Sequence, residues 1–172
     1  MTAKSKLIIP DANVIIRLHE LHKWQVLVNN YDVMISETVV EECEFYNDPI
    51  TKKKIIIDLK NSTEIGIFAF EASKLSEIDS ILRKKGRSID DGEKESIAAV
   101  YNKIYPDAIL CLAERAAIIS AVLLGLKDNM VSPETAFSNI GQTLKIGCEY
   151  SESSFRSVLK EASIIFIQDS NA

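Results

Sequence analysis

The chain of 172 residues contains only three cysteines, which stand far apart at Cys43, Cys111 and Cys148. An odd number without the close spacing of zinc or redox motifs argues against a disulfide framework and against a cysteine-based metal centre. Isolated thiols of this kind usually act as small apolar side chains in a reducing compartment. We therefore predict that the cysteines belong to the core.

The sequence also lacks an excess of positive charge and a long apolar run. Its net charge of −5 argues against a broad basic surface for nucleic acid. A metal site stays compatible, because carboxylates count as negative until cations neutralise them. The longest apolar stretch, residues 116–126, is too short to cross a bilayer, and the basic residues 1–6 precede a run that stops at Pro10. We expect a soluble, cytoplasmic protein without a signal peptide.

Apolar residues are spaced so that short strands alternate with helices along most of the chain. Such alternation predicts a mostly parallel sheet covered by helices on both faces, a three-layer α/β/α sandwich. We predict one domain over residues 1–172, with a core at about 6–141 and a C-terminal helix and tail at 142–172. The predicted strands are 6–9, 33–35, 107–112 and 129–131, and the predicted helices are 12–21, 38–45, 72–85, 90–102, 114–124, one starting at Ser132, and 151–162.

Two regions are open to more than one interpretation. After the turn at residues 47–49, the runs 54–59 and 65–70 are rich in β-forming residues, which indicates a hairpin or two neighbouring strands. Near the C-terminus, residues 164–167 are apolar and either return to the sheet or pack on its surface.

Four acids stand at or near the points where parallel strands are expected to end. They are Asp11, Glu42, Glu93 and Glu114, and ligands of open α/β sheets bind at that edge. Helix capping explains Asp11, Glu93 and Glu114 singly, because acids stabilise the first turn of a helix, and a solvated helix face explains Glu42. Asp91 competes with Glu93 as a site acid, and Glu41 competes with Glu42.

As a set, the acids indicate a metal site. Clustered carboxylates repel one another and raise one another's pKa values, and a divalent cation removes that conflict. Ligation by oxygen without histidine or cysteine favours Mg²⁺ or Mn²⁺ over zinc. His19 and His22, three apart on a predicted helix, are better explained as helix-surface residues.

The chain resembles the PIN-domain nucleases from about residue 7 to residue 141. The segment "IIPDANVII" matches the family's first strand with its acid, and "VMISETVVEEC" matches the second acid on a helix. The segments "DDGEKESIAAVYN" and "CLAERAAIISAVLLGL" match the third and fourth elements. The chain departs from the family in having Glu114 where Asp is usual, and Ala113 where some relatives have another acid.

The resemblance implies a metal-dependent endoribonuclease. Asp11, Glu93 and Glu114 would then be the metal ligands, with Glu42 ligating directly or through water. Asn13 would orient a water or a carboxylate, although a hydrogen bond at a helix start explains it better. Many small members of the family are toxins held by a partner antitoxin and dimerise through exposed apolar helices. The resemblance therefore also raises an antitoxin partner and a homodimer as hypotheses.

Two further interpretations stay open. A catalytically inactive PIN-like interaction or regulatory module fits Glu114, Ala113 and the weakly basic surface. A phosphotransferase of the haloacid dehalogenase kind would place a second Asp where Asn13 stands, and is less well supported. Candidate phosphate contacts are the basic residues 52–54 and 83–87, which a solvated loop and a helix C-terminus also explain.

Overall fold

The computed structural model describes residues 6–170, so the basic residues 1–5 lie outside the described part of the chain. A five-stranded, wholly parallel sheet lies at the centre, in the order β5-β2-β1-β6-β7. Helices cover both of its faces, which confirms the predicted three-layer α/β/α architecture. The strands are β1 Leu7–Pro10, β2 Asp32–Ser36, β3 Phe45–Asn47, β4 Lys54–Ile56, β5 Ile65–Phe68, β6 Ile109–Cys111 and β7 Met130–Val131.

The helices begin and end close to the predicted positions in most cases. Within residues 6–170 they are α1 Ala12–Glu20, α2 Trp24–Asn30, α3 Glu37–Glu42, α4 Ala72–Lys84, α5 Asp91–Tyr101, α6 Arg115–Leu123, α7 Pro133–Ser138 and α8 Glu152–Ser170. Gly86 and Gly125 follow α4 and α6 with φ of +66° and +81°, a backbone conformation that favours glycine after a helix. None of these helices is long and apolar enough to cross a membrane.

The hydrophobic core forms two layers, one on each face of the sheet. On one face, α5 and α6 pack with α4 and α8 around Ile97 and Ile119. On the other face, α1 and α3 pack around Ile15 and Leu27. Strand β1 lies between the two layers and pairs with β2 on one side and with β6 on the other. Its last residues therefore stand at the middle of the sheet edge.

The structure differs from the sequence prediction, or decides between its alternatives, at four places. The helix predicted at 38–45 ends at Glu42, because Phe45 starts β3. The runs 54–59 and 65–70 do not pair: β4 pairs with β3 in a separate antiparallel sheet, whereas β5 joins β2. Residues 164–167 continue α8. Helix α2 was not predicted at all.

The C-terminal segment is anchored by α8, which packs along α6. The carboxylate of Glu152 accepts hydrogen bonds from the hydroxyls of Ser132 and Thr135, each at 2.6 Å, and from Nε of Arg156 at 2.6 Å. The N–H of Glu152 donates to Glu134 at 2.7 Å. These bonds fix the start of α8 against the start of α7.

Candidate functional site

Asp11 lies where β1 ends and α1 begins, and its carboxyl group is 1% exposed. Oδ1 accepts the N–H of Val14 at 2.7 Å, and Oδ2 accepts the N–H of Ala113 at 2.8 Å. Burial raises the pKa of Asp11 to about 6, and the charge of Glu114 adds to the rise. The bonds from Ala113, Val14 and Glu114 lower the pKa. Asp11 is thus both a helix cap and a tie to the turn after β6.

Glu93 lies in the first turn of α5 and is 8% exposed. Its Oε2 accepts the N–H of Asp90 at 3.3 Å and completes the predicted capping box. The pKa of Glu93 is raised to about 7. Burial is the largest cause, and the negative charges of Asp11 and Glu114 also raise it. The structure therefore brings Glu93 into the electrostatic neighbourhood of both acids.

Glu114 is the N-cap residue of α6 and is exposed. The Nδ2 of Asn13 donates to its Oε1 at 3.5 Å, which links the turn after β1 to the turn after β6. The charge of Glu114 acts on Asp11 and on Glu93. Asp11, Glu93 and Glu114 thus lie close enough at the carboxyl edge of the sheet for the charge of one to act on another.

Glu42, at the end of α3, occupies a neighbouring position. Its carboxylate stands over Gly92, where an added Cβ would lie 2.7 and 2.8 Å from its two oxygens. Burial raises the pKa of Glu42, the N–H of Gly92 lowers it, and the charges of Asp90, Glu95 and Asp91 raise it. Glu42 therefore faces the start of α5 rather than the meeting point of the other three acids.

The competing acids lie elsewhere. Asp91 binds Lys94 at 2.9 Å, and its side chain is 76% exposed, so it is Glu93 that approaches Asp11. Glu41 is exposed and lines a cavity beside β4. Glu95, which sequence reasoning missed, is buried, and its Oε2 has no hydrogen-bond partner among residues 6–170.

An open groove of about 410 Å³ is lined by one of the three acids, Glu114. Asn13, Ala113, Glu114, Arg115 and Tyr150 are among its lining residues. Burial raises the pKa of Tyr150, and the charge of Asp11 adds to the rise. Sequence reasoning missed Tyr150, because it reaches the groove from the segment before α8 and no local pattern marks it.

The only arginine among the lining residues of this groove is Arg115, which hydrogen bonds through Nε and Nη2 to the carboxylate of Glu161 on α8. The basic residues 52–54 and 83–87 do not line the groove. Lys54 lies over the ring of Phe45, and Arg83 binds Asp79. The predicted phosphate contacts are thus not at the acidic edge.

The two histidines have separate partners. His19 stacks on Trp24, and burial lowers its pKa to about 4. His22 contacts the carboxylate of Asp48 at 3.3 Å. The structure therefore gives each histidine a packing or pairing role on the side of α1 and β3.

In the part of the chain that the structure describes, no three His, Cys, Asp or Glu side chains form a group arranged to hold a metal. The three acids are close enough to shift one another's pKa values but are not gathered into a ligand shell. Neither a comparison with protein-family models nor a search of curated proteins finds a match for the chain.

Proposed function

We propose that the chain is a metal-dependent endoribonuclease of the PIN-like kind. The observation that supports the proposal is the placement of Asp11, Glu93 and Glu114 near the carboxyl edge of a parallel sheet, where their charges act on one another. A cluster of this kind disfavours its own ionised form. A divalent cation reverses that preference, because it attracts all three carboxylates.

The donor chemistry fits Mg²⁺ or Mn²⁺, which prefer carboxylate oxygens. The carboxylate of Asp11 accepts the backbone N–H groups of Val14, Ala113 and Glu114, which leaves one of its four lone-pair sites for a cation. Since no ready ligand group is present within residues 6–170, Glu93 and Glu114 would have to turn toward Asp11. Glu114 is exposed and Glu93 gives up only one 3.3 Å capping bond.

A bound divalent cation would supply an activated water and stabilise the charge of the leaving oxygen. The chain's own residues would position the reactants. The N–H groups of Val14 and Ala113 hold Asp11 in one orientation, and Asn13 orients Glu114. Arg115, beside Glu114 in the groove, would be available to a substrate phosphate once it leaves Glu161.

The proposal is tested by thermal unfolding with and without millimolar Mn²⁺, because a ligand that binds only the folded chain raises the melting temperature. We expect a rise for the wild type and none for Asp11→Asn. Asp91→Asn is the matched control, since Asp91 is exposed and paired with Lys94, and it should keep the rise. The wild type and Asp91→Asn should cleave an oligoribonucleotide when Mn²⁺ is present, and Asp11→Asn should not. None of the three should cleave it in EDTA.

One observation favours the alternative, a catalytically inactive interaction module. Asp11 and Glu93 already have structural partners, because both cap helices, so neither needs a metal to explain its position. An inactive module would show no Mn²⁺-dependent rise in melting temperature for any variant. Asp11→Asn would then change stability and nothing else.

The resemblance extends the proposal to a toxin that an antitoxin holds. Expression of the wild-type chain should then arrest growth of the host cell, and expression of Asp11→Asn should not. If cells keep growing while they express a chain that is an active ribonuclease, the toxin proposal is contradicted and the ribonuclease proposal stands.

A further inference from the structure

The hairpin of β3 and β4 carries an open strand edge. The N–H of Ile57 donates to Glu44 at 3.0 Å, and the N–H of Asp48 donates to the carbonyl of Lys53 at 2.9 Å. Residues of an antiparallel strand alternate in the direction of their backbone groups. Because Lys53 and Ile57 face β3, the N–H and C=O groups of Lys54 and Ile56 point to the opposite edge. No described strand pairs with that edge.

The side chains along this edge are arranged for a further contact. Ile56 is 78% exposed, which is costly for a large apolar side chain. Cavities of about 450 and 500 Å³ both have Ile56 and Glu44 in their lining. Lys54 is held on the same face, over the ring of Phe45 at 3.5 Å.

All three residues of β4 are exposed, and burial alternates in the segment that follows. Ile57 and Leu59 are buried, whereas Ile56 and Asp58 are exposed. Lys54, Ile56 and Asp58 therefore form a row of two charges of opposite sign with an apolar residue between them, although the carboxylate of Asp58 also accepts hydrogen bonds from Nδ2 of Asn61 at 3.0 and 2.9 Å. When a second copy of this row is turned by 180° about Ile56, its Asp58 lies opposite Lys54 and its Lys54 lies opposite Asp58. The two rows are therefore complementary in charge.

We propose that a second copy of the chain docks on this edge, so that two β4 strands pair antiparallel about a twofold axis at Ile56. In this register Ile56 faces Ile56 of the second copy, and Lys54 faces Asp58 on each side. Opposite charges directly across two strands stabilise the pairing, and like charges destabilise it. The two hairpins would form one four-stranded sheet, which removes the open edge. This dimer does not depend on the proposed nuclease activity.

The charges allow a swap experiment on the full chain, with the molecular mass measured by sedimentation over a range of concentrations. The wild type should form a species of twice the 19.2 kDa chain mass. Lys54→Glu and Asp58→Lys should each raise the dissociation constant by about tenfold or more, because each places two like-charged pairs across the axis. Equal mixing of these two variants should restore the dimer, since every cross-strand pair is then of opposite sign.

Matched controls on α4 distinguish an effect of the cross-strand charge pairs from an effect of the net charge of the chain. Lys74→Glu and Glu77→Lys make the same changes of charge at exposed positions and should leave the dissociation constant unchanged. Ile56→Lys, at a position that is 78% exposed, should abolish the dimer with every partner while the variant stays folded. A wild type that stays monomeric at near-millimolar concentration would overturn the proposal. So would single variants that dimerise like the wild type, or a folded mixture that fails to recover the dimer.

Discussion

The carboxylate of Asp11 joins two turns that are about a hundred residues apart in the chain, because its Oδ1 accepts the N–H of Val14 and its Oδ2 accepts the N–H of Ala113. The first bond starts α1, and the second ties β1 to the turn that leads into α6. The same carboxylate is buried beside two other acids. One side chain thus serves the fold and carries the charge on which the proposed metal site depends.

The raised pKa values of Asp11 and Glu93 predict a pH-dependent stability. These carboxyls bind protons more tightly in the folded chain than in the unfolded chain, so they lower the free energy of unfolding as pH rises from about 4 to about 7. For Asp11, the change from 3.8 to about 6 corresponds to on the order of 3 kcal/mol. Urea unfolding in EDTA at several pH values measures the effect.

His19 acts in the opposite direction, since its lowered pKa makes stability increase over part of the same range. Asp11→Asn isolates the carboxyl group: relative to this variant, the wild type should lose stability as pH rises. Asp91→Asn should show the pH profile of the wild type. A constant difference between the wild type and Asp11→Asn would contradict the prediction.

Gly92→Ala should destabilise the fold. The added Cβ would lie 2.7 and 2.8 Å from the carboxylate oxygens of Glu42 and 2.9 Å from Cγ2 of Val39, and overpacking of this kind costs about 1–3 kcal/mol. Alanine otherwise favours a helix over glycine by about 1 kcal/mol, so a loss of stability would come from the contact. In a Glu42→Ala background the loss should be smaller, because only the contact with Val39 remains. Denaturant unfolding of the four chains tests this, and an equal loss in both backgrounds would argue against it.

Glu114→Asp should stabilise α6. Glu114 is the N-cap residue, but its side chain makes no capping bond, and Asp or Asn at this position is worth about 1 kcal/mol. Glu114→Asn should add the same cap and also remove one charge that acts on Asp11 and Glu93. Above pH 7 in EDTA, Asn should therefore stabilise more than Asp. Thermal melts that rank the two variants in the reverse order would show that the repulsion is negligible.

Glu152→Ala should loosen the C-terminal helix. The change leaves the hydroxyls of Ser132 and Thr135 without their 2.6 Å bonds, and unsatisfied buried groups cost about 1–3 kcal/mol. Arg156→Ala is the control, because it removes only an exposed ion pair, worth about 0–1 kcal/mol. Amide hydrogen exchange across α8 would show faster opening in Glu152→Ala alone.

Local patterns predicted the central fold well. The capping box of Asp90 and Glu93, the glycines after α4 and α6, and the alternation of strands and helices depend on near neighbours in the chain, and all are present. The pairing of β4 with β3 was mispredicted, because a three-residue strand carries little pattern. The hairpin also packs on α1 through β3, a contact between segments that are distant in the sequence.

The acidic edge was predictable only in part. Because the sheet is parallel, the turns after β1 and β6 meet, and the sequence order of Asp11 and Glu114 was enough to place them together. The orientation of Glu42 could not be predicted, because it depends on α3 ending at Glu42 and on Gly92 leaving space beneath the carboxylate. Tyr150 enters the groove through tertiary packing of a distant segment, which no sequence period encodes.

The placement of β1 has a consequence for synthesis of the protein on the ribosome. Among the described strands Leu7–Pro10 is translated before the others, yet one of its two neighbours, β6, is translated only about a hundred residues later. A nascent chain that ends before β6 has an incomplete sheet with an apolar edge, which favours association with other chains. Ribosome-bound chains should consequently gain resistance to protease in one late step, when Ile109–Cys111 has left the exit tunnel.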